Sequence, residues 1–144
     1  YHLVVISNGT TYTMYVNNVA QTLTVIVGTN SGDWWSDAGS PANGVTSIGA
    51  VKYDGIVQLF FNGNIDEVSV WDRSLTASEV SEIYNNGKPK NLITHSAFNN
   101  MVGYFRMGDG DTFDGANWTL FDKKGTNNGV SVNMEESDRS SDVV

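Results

Sequence analysis

The chain has no cysteine, only two prolines among 144 residues, and 8 basic residues against 16 acidic ones. Without cysteine there can be no disulfide, no thiolate nucleophile and no zinc–thiolate site. An apolar core must hold the fold. A chain of 15.7 kDa can form one, because a domain of this size hides roughly two-thirds of the surface its unfolded form exposes. The formal charge of −8 argues against a nucleic-acid partner. Phosphate backbones are bound by clustered Lys and Arg, and the nearest approach to such a cluster is Lys88-Pro89-Lys90. No run of 18 apolar residues exists, so no membrane-spanning helix is expected. The opening Tyr1-His2-Leu3 has neither an initiator Met nor a charged leader, the look of a fragment or a processed product.

What is present is fifteen glycines, many Thr, Asn and Ser, and short β-branched and aromatic runs broken by turn residues. That pattern predicts an all-β, antiparallel β-sandwich. Leu3 to Ile6 is a continuous apolar run, while Tyr12, Met14 and Val16 alternate with Thr11, Thr13 and Tyr15. Asn17-Asn18 then interrupts before Leu23, Val25 and Val27 alternate with Thr22, Thr24 and Ile26, so residues 11–27 read as a hairpin. Residues 28–44 lack a period and read as a long loop. Thr46 to Lys52 and Ile56 to Phe61 form the next strand pair, and Asn62-Gly63-Asn64 turns into a strand over Ile65 to Trp71. One short helix is announced by Thr76 and Glu79 as a capping box, Leu75 and Val80 as a staple, and Gly87 and Pro89 as a stop. Its spacing predicts about ten residues. Residues 88–100 are polar and read as a connector, Met101 to Met107 as a strand, Trp71 and Trp118 as core, and 133–144 as a mobile acidic and Ser-rich tail.

Three short segments and one long one carry a family resemblance: Tyr1-His2-Leu3-Val4-Val5, Tyr15-Val16-Asn17-Asn18-Val19, Ser47-Ile48-Gly49-Ala50, and above all the phrase from Phe61 to Val80 with Tyr84-Asn85-Asn86-Gly87 behind it. Together they resemble the end of a concanavalin A-like, laminin G-like jelly-roll domain over residues 1–87. The resemblance implies that the domain lacks its N-terminal half. Val102 to Gly110, followed by Asp122 to Gly129, is similar to the opening strand and first loop of the same domain type. Residues 101–132 therefore read as a partial repeat. The strand at Asn64 to Asp72 then lacks its usual neighbour, and Met101 to Met107 either covers that edge as a permuted first strand or leaves it open to another partner. The arrangement is similar to virion proteins of tailed phages and to large secreted bacterial proteins, which implies an extracellular or virion-associated place among neighbouring domains of a larger chain.

The candidate site residues follow from chemistry. Trp34 and Trp35, flanked by Asp33 and Asp37, offer flat rings to stack on a sugar and carboxylates to accept its hydroxyls; the alternative is that the tryptophans pin the loop to the sandwich rim. Asp66 starts a strand and shares a face with Val68 and Val70, so it is expected to be buried and to need amides, a basic side chain or a hard cation such as calcium. The resemblance implies calcium, because related sandwich modules hold a structural ion with an aspartate at this strand position. Asp109, Asp111 and Asp114 alternate like the start of a calcium loop, but the twelfth position is Leu120 rather than Glu. A solvated acidic turn is the other reading. Glucanases of this fold project two carboxylates to one side at roughly 5 Å, whereas Asp66 and Glu67 are consecutive. No enzyme is expected. The residues and the resemblance together point to a non-catalytic adhesion module that binds glycan or a surface protein, or alternatively to a purely structural assembly domain.

Overall fold

The computed structural model describes residues 1–33 and 46–140. Strands β1 (Leu3–Ser7), β2 (Tyr12–Val16) and β3 (Val19–Gln21) form an antiparallel sheet in that order. The turn between β2 and β3 is Asn17-Asn18, with φ of 49° and 66°, the left-handed pair a two-residue hairpin needs. The register of β1 on β2 pairs Val4 with Tyr15 and Ile6 with Thr13. Val4, Ile6 and Tyr15 pack against the buried cluster of Leu75, Val80 and Ala97. The opposite face carries Leu3, Val5, Met14, Val16 and Val19. Leu3, Val5 and Val19 on that face are exposed.

The alternation read at 22–27 does not extend the hairpin. Strand β3 stops at Gln21, and Leu23, Val25, Ile26 and Val27 are exposed. An apolar face fixes a strand only when a facing layer buries it. Among the described residues none covers this stretch. The next pair is likewise shorter than its pattern: β4 (Val51–Tyr53) and β5 (Ile56–Gln58) close on Asp54-Gly55. Leu59 ends β5 because its φ is 54°, a left-handed conformation that breaks the two-residue alternation.

Strand β6 (Val68–Trp71) leads to helix α1 (Ala77–Tyr84), eight residues long. Thr76 accepts from the Glu79 amide at 3.3 Å while Glu79 accepts from the Thr76 amide at 2.8 Å, completing the capping box. Leu75 and Val80 share one buried cluster, as the staple requires. The helix stops where Asn85 turns left-handed at φ 45°.

Residues 88–100, read as a polar connector, enter the core instead. Leu92, His95 and Ala97 are buried. Glu82 of α1 holds this segment through Lys90 at 3.2 Å and the Ser96 amide at 3.2 Å. Polar composition concealed this role because its three buried residues have no period. Strand β7 (Met101–Phe105) then pairs antiparallel with β6, Val68 facing Phe105 and Val70 facing Gly103. The edge of β6 is thus covered by the strand that follows the helix. Trp71 and Ile83 contact both this second cluster, Leu92, Met101 and Tyr104, and the first.

A small sheet of β8 (Thr112–Phe113), β9 (Trp118–Leu120) and β10 (Gly129–Val130) completes the chain. Trp118 is buried, and its indole N–H donates to the Glu135 carbonyl at 3.0 Å. The start of the segment read as a mobile tail is therefore tied to the small sheet. Among the described residues the fold is all-β and antiparallel with one α-helix.

The capping box gives a pH-dependent test. Hydrogen bonds from Arg73 and then from the Thr76 amide hold the Glu79 carboxyl down at about 2. A depressed carboxyl stabilises the fold above its unfolded value near 4.5 and loses that contribution as pH falls towards about 2. Thr76→Ala should cost about 1 kcal/mol at neutral pH. Thermal melts should show the gap between wild type and Glu79→Gln narrowing across that acid window; a constant gap would refute the assignment.

Candidate functional site

At the end of the β6–β7 pair both strands turn left-handed, Glu67 at φ 53° and Met107 at φ 46°. Neither is a glycine, so the backbone is strained there. The turn at Glu67 reverses the reading made from alternation. Asp66 is exposed, with its Oδ1 accepting from the Glu67 amide at 2.8 Å. Glu67 is the residue that turns inward. Alternation placed Asp66 with Val68 and Val70 by assuming an extended Glu67, and the left-handed φ breaks that count.

Glu67 meets two side chains from the other strand and its end, and one of these, Arg106, also holds an acid. The Tyr104 hydroxyl donates to its Oε2, Arg106 Nε donates to its Oε1 at 2.9 Å, and Arg106 Nη1 lies 2.5 Å from Asp109 Oδ2. The side chains of Glu67 and Arg106 are 12% and 16% exposed, so this ion pair is mostly shielded from water. Tyr104 is completely buried, and its oxygen also accepts from the Leu92 amide at 3.0 Å. Burial, followed by the hydrogen bond to Glu67, pushes the Tyr104 phenol well above its ordinary value. Its proton stays in place.

Two further carboxylates are buried, and both serve backbone amides. Asp111 Oδ2 accepts from Gly108 and Oδ1 from Phe121, each at 2.8 Å, with Lys123 Nζ at 3.9 Å. Asp122 Oδ1 accepts from Tyr104 and Lys124, each at 3.0 Å, and Oδ2 from Asn127 at 3.4 Å. Burial alone would raise the Asp122 carboxyl, but the amides outweigh it and its pKa is lowered. Asp122 thereby ties β7 to the loop that follows β9. Asp114 caps its own turn through the Ala116 and Asn117 amides.

The acids read as calcium ligands each engage groups of the protein. Among the described residues no three carboxylates or histidines converge. Asp66 is exposed and accepts from the Glu67 amide, Asp109 faces Arg106, and both oxygens of Asp111 receive N–H groups with a lysine nearby. Calcium needs several oxygens aimed at one point; Asp109 and Asp111 are instead aimed at N–H donors and cations.

Of the four residues named for ligand binding, Trp34, Trp35 and Asp37 lie outside the described residues. Asp33 is exposed. The start of its loop is pinned to the first sheet: the Ser7 hydroxyl donates to the Gly32 carbonyl, the Tyr12 hydroxyl to the Asp33 carbonyl, and the Tyr12 amide to Asn30 Oδ1.

Sequence reasoning passed over Glu67, Tyr104, His95 and Asp122. Asp122 had a signal, since a single acid before a Gly- and Asn-rich loop is the usual place for a carboxylate that gathers turn amides. His95 had none. It is buried edge-on to Trp71 at 4.9 Å, its Nδ1 accepts from the Ala97 amide at 3.0 Å, and its Nε2–H donates to the Glu79 carbonyl at 3.1 Å.

Residues 1–81, more than half of the chain, match the family model of the concanavalin A-like lectin/glucanases superfamily. No curated protein and no solved structure matches the chain. Among the described residues no helix is long and apolar enough to cross a membrane.

The buried carboxylate sets the test for this region. Asp122→Ala should destabilise the fold by about 3 kcal/mol, because it strands several amides without acceptors. Tyr104→Phe should cost about 1 kcal/mol through loss of the hydroxyl's bonds to Glu67 and Leu92. Denaturant titration checks both, and an Asp122→Ala chain as stable as wild type would contradict the role given to that residue.

Proposed function

Because the chain belongs to the concanavalin A-like lectin/glucanases superfamily, we propose that it is a non-catalytic binding module of an extracellular or virion protein, engaging a neighbouring protein surface. The observation that carries this reading is the distribution of apolar side chains. Among the described residues seven apolar side chains are buried, while twenty large ones are exposed. Scattered exposed apolar residues are ordinary, but contiguous ones mark interaction surfaces. Leu3, Val5 and Val19 share one face of the first sheet, with no charge among them. Tyr53, Ile56, Leu59, Phe60 and Phe61 follow along the β4–β5 hairpin and beyond it. The chemistry that suits such a surface is another apolar protein face.

The non-catalytic part of the reading is supported by how the carboxylates are engaged. Glu67 gives both oxygens to Tyr104 and Arg106, and Asp111 and Asp122 are surrounded by amides. A glycosidase needs one carboxyl free to donate a proton and another free to attack or to activate water.

If the sheet face is an uncovered docking surface, the isolated chain should bind an environment-sensitive apolar dye such as bis-ANS. Val5→Lys and Leu3→Lys should lower that fluorescence several-fold without altering the circular dichroism. Dye binding that is absent, or that survives both substitutions, would count against the face.

A second reading, glycan contact by the loop at 29–43, is favoured by the pinned start of that loop with Asp33 exposed beside it. On a glycan array the wild-type chain should retain selected sugars, leave them chemically intact, and lose them in Trp34→Ala, Trp35→Ala and Asp33→Ala chains. No selective retention would dismiss the sugar reading, and released reducing ends would dismiss the non-catalytic one.

A further inference from the structure

The strand that covers β6 comes from beyond the matched family segment. That segment ends at residue 81, and β7 spans Met101–Phe105. Of the seven apolar residues buried among those described, Leu92, Ala97, Met101, Tyr104 and Trp118 all lie after the helix, leaving Leu75 before it and Val80 within it. The portion up to the helix therefore depends on a later segment for most of its core. Only one stretch of chain joins the two. Three consecutive left-handed residues, Asn85, Asn86 and Gly87 at φ 45°, 57° and 79°, reverse the chain there, and Lys88-Pro89 follows.

We propose that residues 88–132 form an exchangeable arm, so that β7 of one copy of this chain pairs with β6 of a second copy. The arm's contacts with the rest of the molecule are specific and include β7 with β6, Lys90 and Ser96 with Glu82, His95 with the Glu79 carbonyl, Asn100 with Asp72, Tyr104 and Arg106 with Glu67, and Ala97 in the cluster with Leu75 and Val80. An arm from a second identical chain satisfies every one of them. Exchange alters only the reversal at 85–87, where a tight connection becomes an extended one. Left-handed φ at Asn85 and Asn86 is relieved on extension, since asparagine tolerates that conformation but does not prefer it. Trading an identical element across a short, sharply turned hinge is a low-cost route to association. The association would join copies head to tail or in closed pairs, according to how the hinge opens. The surface involved is the β6 edge, distinct from the apolar face of β1–β3, so this inference and the docking reading fail separately.

The absence of cysteine makes the test direct. Val68 and Phe105 face each other across the β6–β7 pair, and opposed positions in antiparallel strands are close enough for a disulfide. The Val68→Cys and Phe105→Cys chains, unfolded together and refolded at high concentration, should yield a disulfide-linked product of twice the chain mass on a non-reducing gel. The same two chains folded apart and then mixed should not. The double variant folded when dilute serves as the geometric control and should form the bond within one chain. An intrachain bond in the control with no linked pair from the co-refolded chains would overturn the proposal. So would failure of the control, since β6 and β7 would then not be neighbours. Should the single variants not fold, light scattering on the unmodified chain decides. Twice the monomer mass after concentrated refolding, retained when Val5→Lys removes the apolar face of the first sheet, supports exchange, and monomer at every concentration, or a dimer lost with Val5→Lys, overturns it.

Discussion

Tyr104 is where the two portions of the chain meet. It sits in the strand that covers β6, is completely buried, and has its amide, carbonyl and hydroxyl all engaged. Its N–H goes to Asp122, its carbonyl accepts from Lys123 at 2.7 Å, and its hydroxyl stands between Leu92 and Glu67. A strand edge without a partner carries a row of unmet donors and acceptors. Pairing with β7 meets that need at β6, and Tyr104 fixes how deeply β7 is seated. The small C-terminal sheet is held to the core through the same residue, by way of Asp122 and Lys123. Loosening Tyr104 would therefore free three elements at once.

The core that forms around this junction is one-sided. Trp71 and Ile83 connect its two clusters, and the first sheet contributes only the inner face of β1 and β2. A sandwich normally buries a second layer about 10 Å away. Among the described residues the outer face of β1–β3 has no such layer, and this also accounts for where the strands stop. Residues 22–27 keep the alternation of a half-buried strand without becoming one, because the burial that would reward it is missing. This is the face on which the proposed docking of a protein partner rests.

What could be read beforehand follows from which signals are local. The all-β class, the Asn17-Asn18 hairpin turn and the capping box of Thr76 and Glu79 depend on neighbours a few residues apart, and each is present. The candidate site depends on contacts between distant residues. Glu67 reaches Tyr104 and Arg106 across 37 and 39 positions, and no period in the sequence announces that meeting. The misplacement of Asp66 came from a single residue. Alternation assumes every residue is extended, and one left-handed glutamate exchanges the roles of two adjacent acids. Residues 88–100 were misjudged for a related reason. Their polar groups, His95 above all, are satisfied inside the protein rather than by water, which composition does not reveal.

The acidic balance takes on a specific meaning in this light. A chain with few cations cannot neutralise buried carboxylates by ion pairing alone. Asp111 and Asp122 instead gather backbone amides from strands and turns, Gly108 and Phe121 for the first and Tyr104, Lys124 and Asn127 for the second. Arg106, the best-shielded cation of the β6–β7 end, is shared between Glu67 and Asp109. The carboxylates thus do the structural task that disulfides or metals perform in other small β domains. Acids committed to holding turns and strand ends are not free to move protons to a substrate, and this is the chemical ground on which the proposed reading sets recognition before catalysis.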